Sequence, residues 1–216
     1  MDFQYFLKFV PNLSEAKLPA MESHAKMAPV ERIESLKNTS FENLNPKNAG
    51  VMMLFYPKEG ITHLVLILRS SYGGVHSAQI AFPGGKFEIE DICFSRTALR
   101  ETEEEIGVNP DKMEIIKPFS PMYIPPSNFM VYPFLGVCKD ELCFIPQPEE
   151  VADIIELPLS VFLSDEIVTT VNLSTSYAMN IDVPAFEIEG HVVWGATAMM
   201  LSELKDVLKE VMKNGI

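Results

Sequence analysis

The chain has few cysteines and few basic residues, and each shortage argues against a class of protein. Of its 216 residues only Cys93, Cys138 and Cys143 are cysteine, and no two of them form a C-x-x-C pair. An odd number without that spacing argues against a disulfide framework or a zinc site. Lys and Arg number 17 against 30 Asp and Glu, so the net charge is −13. A bulk nucleic-acid binder is normally basic, so DNA or RNA is not expected as a main partner.

Long apolar runs are also missing. No segment approaches the roughly 20 uncharged apolar residues of a transmembrane helix. The first residues, MDFQYFLKFVPNL, begin with Asp2 and are interrupted by Lys8 and Pro11. They lack the basic start and the apolar run of a signal peptide. We therefore expect a cytoplasmic protein that does not associate with membranes. Its 47% of hydrophobic residues suit one globular domain with a sizeable core.

The first 48 residues differ from the rest of the chain. Phe3, Phe6, Leu7 and Val10 recur at helical spacing and predict one short amphipathic helix. Several prolines punctuate the sequence that follows. We predict that residues 1–48 form a helical extension, packed on the main domain or on the partner subunit of a homodimer. The main domain is expected to span residues 49–216.

The main domain reads as strands flanked by helices. Two apolar runs, VMMLFYP and HLVLILRS, are joined by a segment containing Gly60 and predict a β-hairpin. QIAF predicts a short strand before a Gly84-Gly85 turn. Without regular βαβ alternation, the pattern favours the α/β (α+β) class, as an α/β/α sandwich around a mixed sheet. The remaining predicted elements are a helix at Phe94–Ile106, strands at Met113–Pro118, Asn128–Val137 and Val151–Glu156, a helical turn at Leu159–Leu163, strands at Ile167–Asn172, Ser176–Ile181, Ala185–Ile188 and His191–Trp194, and a C-terminal helix near Gly195–Met212.

Three glutamates in the predicted helix at Phe94–Ile106 are candidates for chemistry. Glu101, Glu104 and Glu105 are spaced three and four apart, so they can share one helix face. Carboxylates this close repel each other unless a cation lies among them. Mg²⁺ is usually held by a few carboxylates together with substrate phosphates. A glutamate run is also typical of a plain solvated helix face. Two neighbouring features favour a functional helix instead: Arg100 can pair with Glu104, and Gly107 follows where a helix commonly ends.

The segment from Gly85 to Val108 resembles the Nudix box, G-x5-E-x7-R-E-U-x-E-E-x-G-U, in which U is a bulky apolar residue. The second half fits in register from Arg100 to Val108, except that Thr102 stands at an apolar position. In the first half the acidic position falls on Asp91, and eight residues separate it from Arg100 instead of seven. This departure leaves Asp91 without an expected role as a metal ligand.

Two further segments resemble motifs of the coenzyme A pyrophosphatase branch of Nudix hydrolases. The stretch LILRSSYGGVHSAQIAFPGG, residues 66–85, is similar to LLTxRSxxLRxHxGqvaFPGG. It departs at Ala78 and at Gly73-Gly74, where the branch carries Gly and Leu-Arg. Downstream, VWGATA at residues 193–198 is similar to IWGxTA. That branch also tends to carry Asp and the longer spacing inside its box, so the irregular first half agrees with the assignment.

The resemblance implies a Nudix-type sandwich and hydrolysis of a pyrophosphate bond with Mg²⁺ or Mn²⁺. The substrate would be CoA or acyl-CoA, which would yield 3′,5′-ADP and (acyl-)4′-phosphopantetheine. Glu101, Glu104, Glu105 and the Gly85 carbonyl are the expected metal ligands, and Arg100 is expected to orient the glutamates. The group that accepts the proton of the attacking water stays open: it is Glu101 or a loop carboxylate, with Glu149 and Glu150 as the loop candidates.

On the substrate side, Arg69 and His76 are candidates for binding phosphate, and Gly84 lets the backbone approach a ligand closely. Two interpretations stay open for the aromatic residues Tyr123, Phe129 and Tyr132: they are candidates for stacking on adenine, or they are part of the hydrophobic core. Other readings are a pyrophosphatase for ADP-ribose, dinucleotides or oxidised nucleotides, and a module that senses a nucleotide without hydrolysing it. Because such modules tend to lose box glutamates, the presence of all three favours an enzyme.

Overall fold

A mixed β-sheet forms the centre of the protein in a computed structural model, which describes residues 1–37, 45–70, 79–174 and 179–215. Within these ranges its strands run in the order β3-β2-β1-β7-β5, while β4 also pairs with β1, β6 with β7 and β8 with β2. Strands β1 and β7 are parallel, and the other pairs are antiparallel. The strands are β1 (Lys47–Lys58), β2 (Ile61–Arg69), β3 (Ile80–Ala81), β4 (Gly84–Lys86), β5 (Met113–Pro118), β6 (Met122–Ile124), β7 (Phe129–Cys138) and β8 (Val151–Pro158).

Alternation along β1 divides the apolar side chains between two layers. Met52 and Leu54 pack into one hydrophobic cluster with Ala98 of helix α5 (Phe94–Ile106). Met53 and Phe55 point the other way, into a cluster shared with the C-terminal helix α7 (Gly195–Asn214). Successive side chains of a strand face opposite sides of a sheet, so β1 is covered on both faces. The predicted α/β/α sandwich around a mixed sheet is confirmed.

The N-terminal helices lie on the α7 side of the sheet. Instead of the single predicted helix there are two, α1 (Phe3–Leu7) and α2 (Val10–Glu15), followed by α3 (Met21–His24) and α4 (Val30–Lys37). The prediction was wrong because Pro11 lacks an N–H: it fits the first turn of a new helix but not the interior of a continuing one. Phe3 and Phe6 are buried in the common core. The division at residue 48 stays a prediction.

A second, three-stranded sheet follows α6 (Leu159–Leu163), with strands β9 (Val168–Leu173), β10 (Ile181–Ile188) and β11 (His191–Val193) in the order β11-β10-β9. The separate strands predicted at Ser176–Ile181 and Ala185–Ile188 were wrong, because one continuous strand, β10, spans Ile181–Ile188 and pairs with β9 as far as Phe186. The start of the first of them lies outside the described residues. Strand β6 was not predicted. No helix in the described ranges is long and apolar enough to span a membrane.

The connection into α5 contains an unusual turn at Ile92. Ile92 has φ 67° and ψ −41°, and Cys93 N–H donates to Asp91 O at 2.7 Å. This hydrogen bond closes a γ-turn of the rare type with positive φ. A β-branched residue is strained in such a conformation. The turn accommodates the extra residue between Asp91 and Arg100, so the chain enters α5 in the register that the motif requires.

We expect Ile92→Gly to stabilise the protein by about 1 kcal/mol, because glycine adopts positive φ without strain and its greater unfolded-state entropy offsets only part of the gain. The Ile92 side chain is 88% exposed, so its removal costs little burial. Urea unfolding measures the change. Ile89→Gly is the matched control, because Ile89 is also exposed but lies in a regular 3₁₀ turn. Equal destabilisation by both substitutions would contradict the assignment of strain to Ile92.

Candidate active site

Helix α5 matches its prediction at both ends and carries the candidate glutamates. Its core face is formed by Ala98, Leu99, Thr102 and Ile106, which are all buried. Thr102 replaces an apolar residue without leaving its hydroxyl unsatisfied, because Oγ1 donates to Ala98 O at 2.6 Å. The helix ends at Gly107, whose left-handed conformation lets its N–H donate to Glu103 O at 2.8 Å. The glutamates are thereby fixed along one well-terminated helix.

Glu105 is a buried carboxylate beside strand β4. Its side chain is 1% exposed, Oε2 accepts a hydrogen bond from Gly84 N–H at 2.8 Å, and Oε1 lies 3.4 Å from Arg69 Nη1. Burial raises the pKa of Glu105 to about 8, and the charges of Glu101 and Glu150 contribute to the rise. Gly84 N–H and Arg69 act in the opposite direction. Without a cation beside it, the Glu105 carboxyl therefore favours its neutral form near pH 7.

Glu101 lies directly against the backbone of β4. A Cβ atom on Gly85 would come within 2.2 Å of Glu101 Oε2, so only glycine fits at residue 85 with Glu101 in this position. Arg100 Nη2 lies 2.9 Å from Glu101 Oε1. Burial is the largest cause that raises the pKa of Glu101, and the charges of Glu104 and Glu150 raise it further. Glycines 84 and 85 form a short strand paired with β1, not the tight turn that was predicted.

Arg100 is held by Asp91 in a bidentate pair. Nε lies 2.8 Å from Asp91 Oδ1 and Nη2 lies 3.1 Å from Oδ2, while Nη1 donates to Glu104 at 2.8 Å. Asp91 is 6% exposed and also accepts hydrogen bonds from Glu88 N–H and Thr97 Oγ1. The Arg100 guanidinium is the largest cause that lowers the pKa of Asp91 to about 2. Asp91 thus positions Arg100, a role that the sequence analysis did not assign.

The described residues contain no ready-made metal cluster, since nowhere in these ranges do three or more His, Cys, Asp or Glu side chains form one. Glu104 points toward Arg100 with its side chain 58% exposed, while Glu101 and Glu105 lie against β4. The carboxylates nevertheless fit a divalent cation, because the charge of Glu150 raises the pKa of both Glu101 and Glu105, and the charge of Glu101 raises that of Glu105 further. Oxygen ligands of this kind are those that Mg²⁺ and Mn²⁺ prefer.

A cavity of about 770 Å³ opens in front of these carboxylates. Five of the predicted site residues line it: Arg69, Gly84, Gly85, Glu101 and Glu105. Arg100 and Glu104 are not part of its lining, and His76 lies outside the described residues. The volume is in the range of sites that enclose a small organic ligand. The structure thus brings the ends of β2, β4 and α5 together around one space.

Other lining residues come from distant parts of the chain. Glu150, one of the two loop candidates, lines the cavity, and Glu149 does not. The stretch Trp194–Thr197, which belongs to the downstream motif, lines it as well. Sequence reasoning missed Arg32 and Lys86. Lys86 follows the Gly84-Gly85 pair and could have been inferred from that position, whereas nothing in the sequence around Arg32 distinguishes it from a solvated helix residue.

The three aromatic candidates have different surroundings. Phe129 lines the cavity. Tyr132 stacks on Phe94 with ring centroids 4.0 Å apart, and Tyr123 donates from its hydroxyl to Asn128 at 3.0 Å. Of the three, Phe129 is therefore the one whose position suits a contact with a bound ligand.

We expect Asp91→Asn to lower the free energy of unfolding by about 2 kcal/mol at pH 7, because it leaves Arg100 without its charged partner. The lowered pKa of Asp91 means that its contribution is present above about pH 4 and is lost as the pH falls toward 2. The difference from the unmodified protein, measured by urea unfolding, should therefore shrink over that range. Glu90→Gln, at an exposed neighbouring position, is the control; a pH-independent difference, or an equal loss in the control, would argue against this pair.

Comparison with known proteins agrees with this geometry. A NUDIX domain model matches residues 45–170. The chain is 31% identical over 175 residues to Nudix hydrolase 15, mitochondrial, of Arabidopsis thaliana, covering 78% of this chain and 61% of that protein. It is also 31% identical over 167 residues to the uncharacterized Nudix hydrolase NudL of Photorhabdus laumondii, covering 74% of this chain and 84% of that protein.

A solved structure shares the fold. It is a Nudix hydrolase from M. smegmatis, RenU, with a TM-score of 0.51 and 12% identity, and the match covers 79% of this chain and 88% of that one. The chain thus spans about three fifths of the plant relative and most of the bacterial ones. The carboxylate helix, the glycine strand against it and the matched domain lead to one conclusion: the chain belongs to the Nudix hydrolase family.

Proposed function

We propose that the protein hydrolyses the pyrophosphate bond of CoA or acyl-CoA with the help of Mg²⁺ or Mn²⁺, and releases 3′,5′-ADP and (acyl-)4′-phosphopantetheine. The observation that carries the proposal is the composition of one cavity. Arg69 and Gln79–Phe82 from the upstream motif, Gly84 and Gly85 from the box, and Trp194–Thr197 from the downstream motif all line it together with Glu101 and Glu105. Segments far apart in sequence thus share one binding space.

Glu101, Glu104, Glu105 and the Gly85 carbonyl are the groups that would hold the metal. A bound divalent ion neutralises diphosphate charge and makes a water more acidic. Glu105 is kept in place by Gly84 N–H, and Glu101 by its contact with Gly85. Arg100 acts as a positioning residue, because Asp91 anchors it while it contacts Glu101 and Glu104. The site thus has one exposed carboxylate, Glu104, which pairs with Arg100, and two that are held against β4.

Glu150 is the loop carboxylate placed to accept a proton from the attacking water. It lines the cavity, and its charge acts on both Glu101 and Glu105. Its backbone is fixed, because Ser70 N–H donates to Glu150 O at 2.8 Å. Glu101 is the other group that could take this proton. Glu150→Gln and Glu101→Gln therefore separate the two assignments, since the base is the residue whose replacement removes the acidic limb of the pH dependence of kcat, the fall in activity at low pH where the base is protonated.

Cationic groups at the same end of the cavity favour a phosphate-rich substrate. Arg69 reaches Glu105, so its guanidinium lies where the reacting diphosphate would bind. Lys86 follows Gly85 and lines the cavity. We retain His76 as a further phosphate-binding candidate from the upstream motif. The chain as a whole is strongly negative, but these groups make the local surroundings of the cavity more positive. Local positive charge is sufficient to bind a small polyanion.

Glu104→Gln and Glu105→Gln should each lower kcat/KM by more than about 100-fold, since replacing even groups that only support metal ligands commonly costs about 10–100-fold. The measurement is hydrolysis of CoA at saturating Mg²⁺. Glu103→Gln is the matched control, because Glu103 lies on the exposed side of the same helix. Unchanged turnover in Glu104→Gln, or an equal loss in Glu103→Gln, would remove the basis for the metal site.

Chromatographic product analysis with CoA, acyl-CoA, ADP-ribose and NADH tests the substrate. We expect CoA or acyl-CoA to be cleaved with the highest kcat/KM, to 3′,5′-ADP and the corresponding phosphopantetheine. Faster cleavage of ADP-ribose or NADH would retain the pyrophosphatase and reject the CoA assignment. Binding of a nucleotide without turnover of any of the four would point to a sensing module.

A further inference from the structure

A buried arginine lies in the part of the cavity that the proposed reaction leaves without a role. Arg32 of helix α4 lines the cavity although the residue as a whole is only 5% exposed. Its Nη2 donates to Tyr123 O at 2.6 Å. A guanidinium carries five N–H donors in a planar fork that suits phosphate and carboxylate groups. Its burial within the cavity wall makes it unlike a solvated surface arginine.

Arg32 is far from the carboxylates that would bind metal. Its anchor, Tyr123, pairs with Met130 of β7, and Met130 pairs with Asn48 of β1. On the other side of β1, Ala49 pairs with Lys86 of β4, next to Gly85. Three strand spacings of about 4.8 Å therefore separate the anchor of Arg32 from the glycine strand, a distance of about 14 Å. A group that contacts Arg32 is thus not the diphosphate being cleaved.

The wall beside Arg32 is apolar. Ile124 follows Tyr123 in β6 and pairs with Phe129 of β7, and both line the cavity. Pro126, Met199 and Met200 line the same cavity. An apolar and aromatic surface next to a guanidinium suits a nucleoside that carries an anionic substituent. Trp194 also lines this cavity and adds a second aromatic ring.

The segment that carries Arg32 is well anchored. Met27 and Ala28, just before α4, are buried in the main core. Glu203 of α7 accepts a hydrogen bond from Ala20 N–H at 2.9 Å, and Ser202 Oγ donates to Ser23 O at 2.8 Å. These contacts tie the N-terminal segment to α7. Arg32 is therefore held at a defined place, as a selective contact requires.

We propose that Arg32 is a specificity residue that binds a second phosphate, a phosphomonoester on the nucleoside arm of the substrate that takes no part in the reaction. The inference deepens the proposed function and rests on it for the position of the diphosphate. In CoA the group would be the 3′-phosphate, and in NADPH the 2′-phosphate has the same chemistry. Arg69, which pairs with Glu105, stays with the reacting diphosphate.

Binding of 3′,5′-ADP and 5′-AMP tests the proposal without any turnover. Isothermal titration in the presence of Mg²⁺ should show that the protein binds 3′,5′-ADP about tenfold or more tightly than 5′-AMP, the expected effect of a charge-assisted contact. Arg32→Gln should abolish this preference, and Arg32→Lys should restore part of it. Lys17→Gln is the control, because it removes a charge from an exposed place in the same N-terminal segment. Equal affinity for both nucleotides in the unmodified protein would overturn the proposal.

Hydrolysis of two substrate pairs, CoA with dephospho-CoA and NADPH with NADH, separates this proposal from the proposed function. In the pair that is cleaved, Arg32→Gln should lower kcat/KM about tenfold or more for the substrate with the extra phosphomonoester, CoA or NADPH. The value for its partner, dephospho-CoA or NADH, should change by less than about twofold. A preference for NADPH that depends on Arg32 would reject the CoA assignment and keep the phosphate site. An equal loss on both members, with an unchanged melting temperature in circular dichroism, would show that Arg32 is only structural and overturn the inference.

Discussion

Direct contact between the backbone of helix α5 and the strands beneath it is the constraint on which the site depends. A Cβ atom on Gly50 of β1 would lie 2.3 Å from Phe94 O, and one on Gly85 of β4 would lie 2.2 Å from the Glu101 carboxylate. A side chain at residue 50 would push the helix backbone outward, and one at residue 85 would displace the Glu101 carboxylate. Because both positions are glycine, Glu101 and Glu105 reach the cavity at the edge of the sheet instead of ending in solvent.

This close packing has an electrostatic cost that the fold offsets only in part. Burial raises the pKa of Glu105 to about 8, although Gly84 N–H and Arg69 stabilise its charged form. Desolvation of a carboxylate is expensive, and neighbouring carboxylates add to it. In the Asp91–Arg100 pair, by contrast, each side chain favours the charged form of the other. The carboxylates whose charged form is disfavoured, Glu101 and Glu105, thus lie on the cavity side of α5. A divalent cation and a polyanion would bind together there.

The parts of the fold that local patterns specify were predictable, and the parts that depend on distant packing were not. Helix α5 matched its prediction because apolar periodicity and Gly107 define both ends. The strand character of Gly84–Lys86 could not be inferred, because glycines carry no side-chain pattern and their pairing with β1 is a long-range contact. The longer spacing between Asp91 and Arg100 was recognised from the resemblance, but its physical basis could not be inferred. A γ-turn absorbs the extra residue locally, which sequence spacing alone does not reveal.

The residues that line the cavity come partly from the matched domain and partly from outside it. The carboxylate end is built from β4 and α5, inside residues 45–170 that match the family model. The lining also includes Arg32 from the N-terminal segment and Trp194, Met199 and Met200 from the C-terminal part, all outside that match. Among related proteins, the charged residues on α5 and β4 can therefore be kept while the residues of the other helices vary. If Arg32 binds a second phosphate as proposed, selectivity for the substrate arm would rest on residues outside the matched domain, and the hydrolytic site would be separate from it.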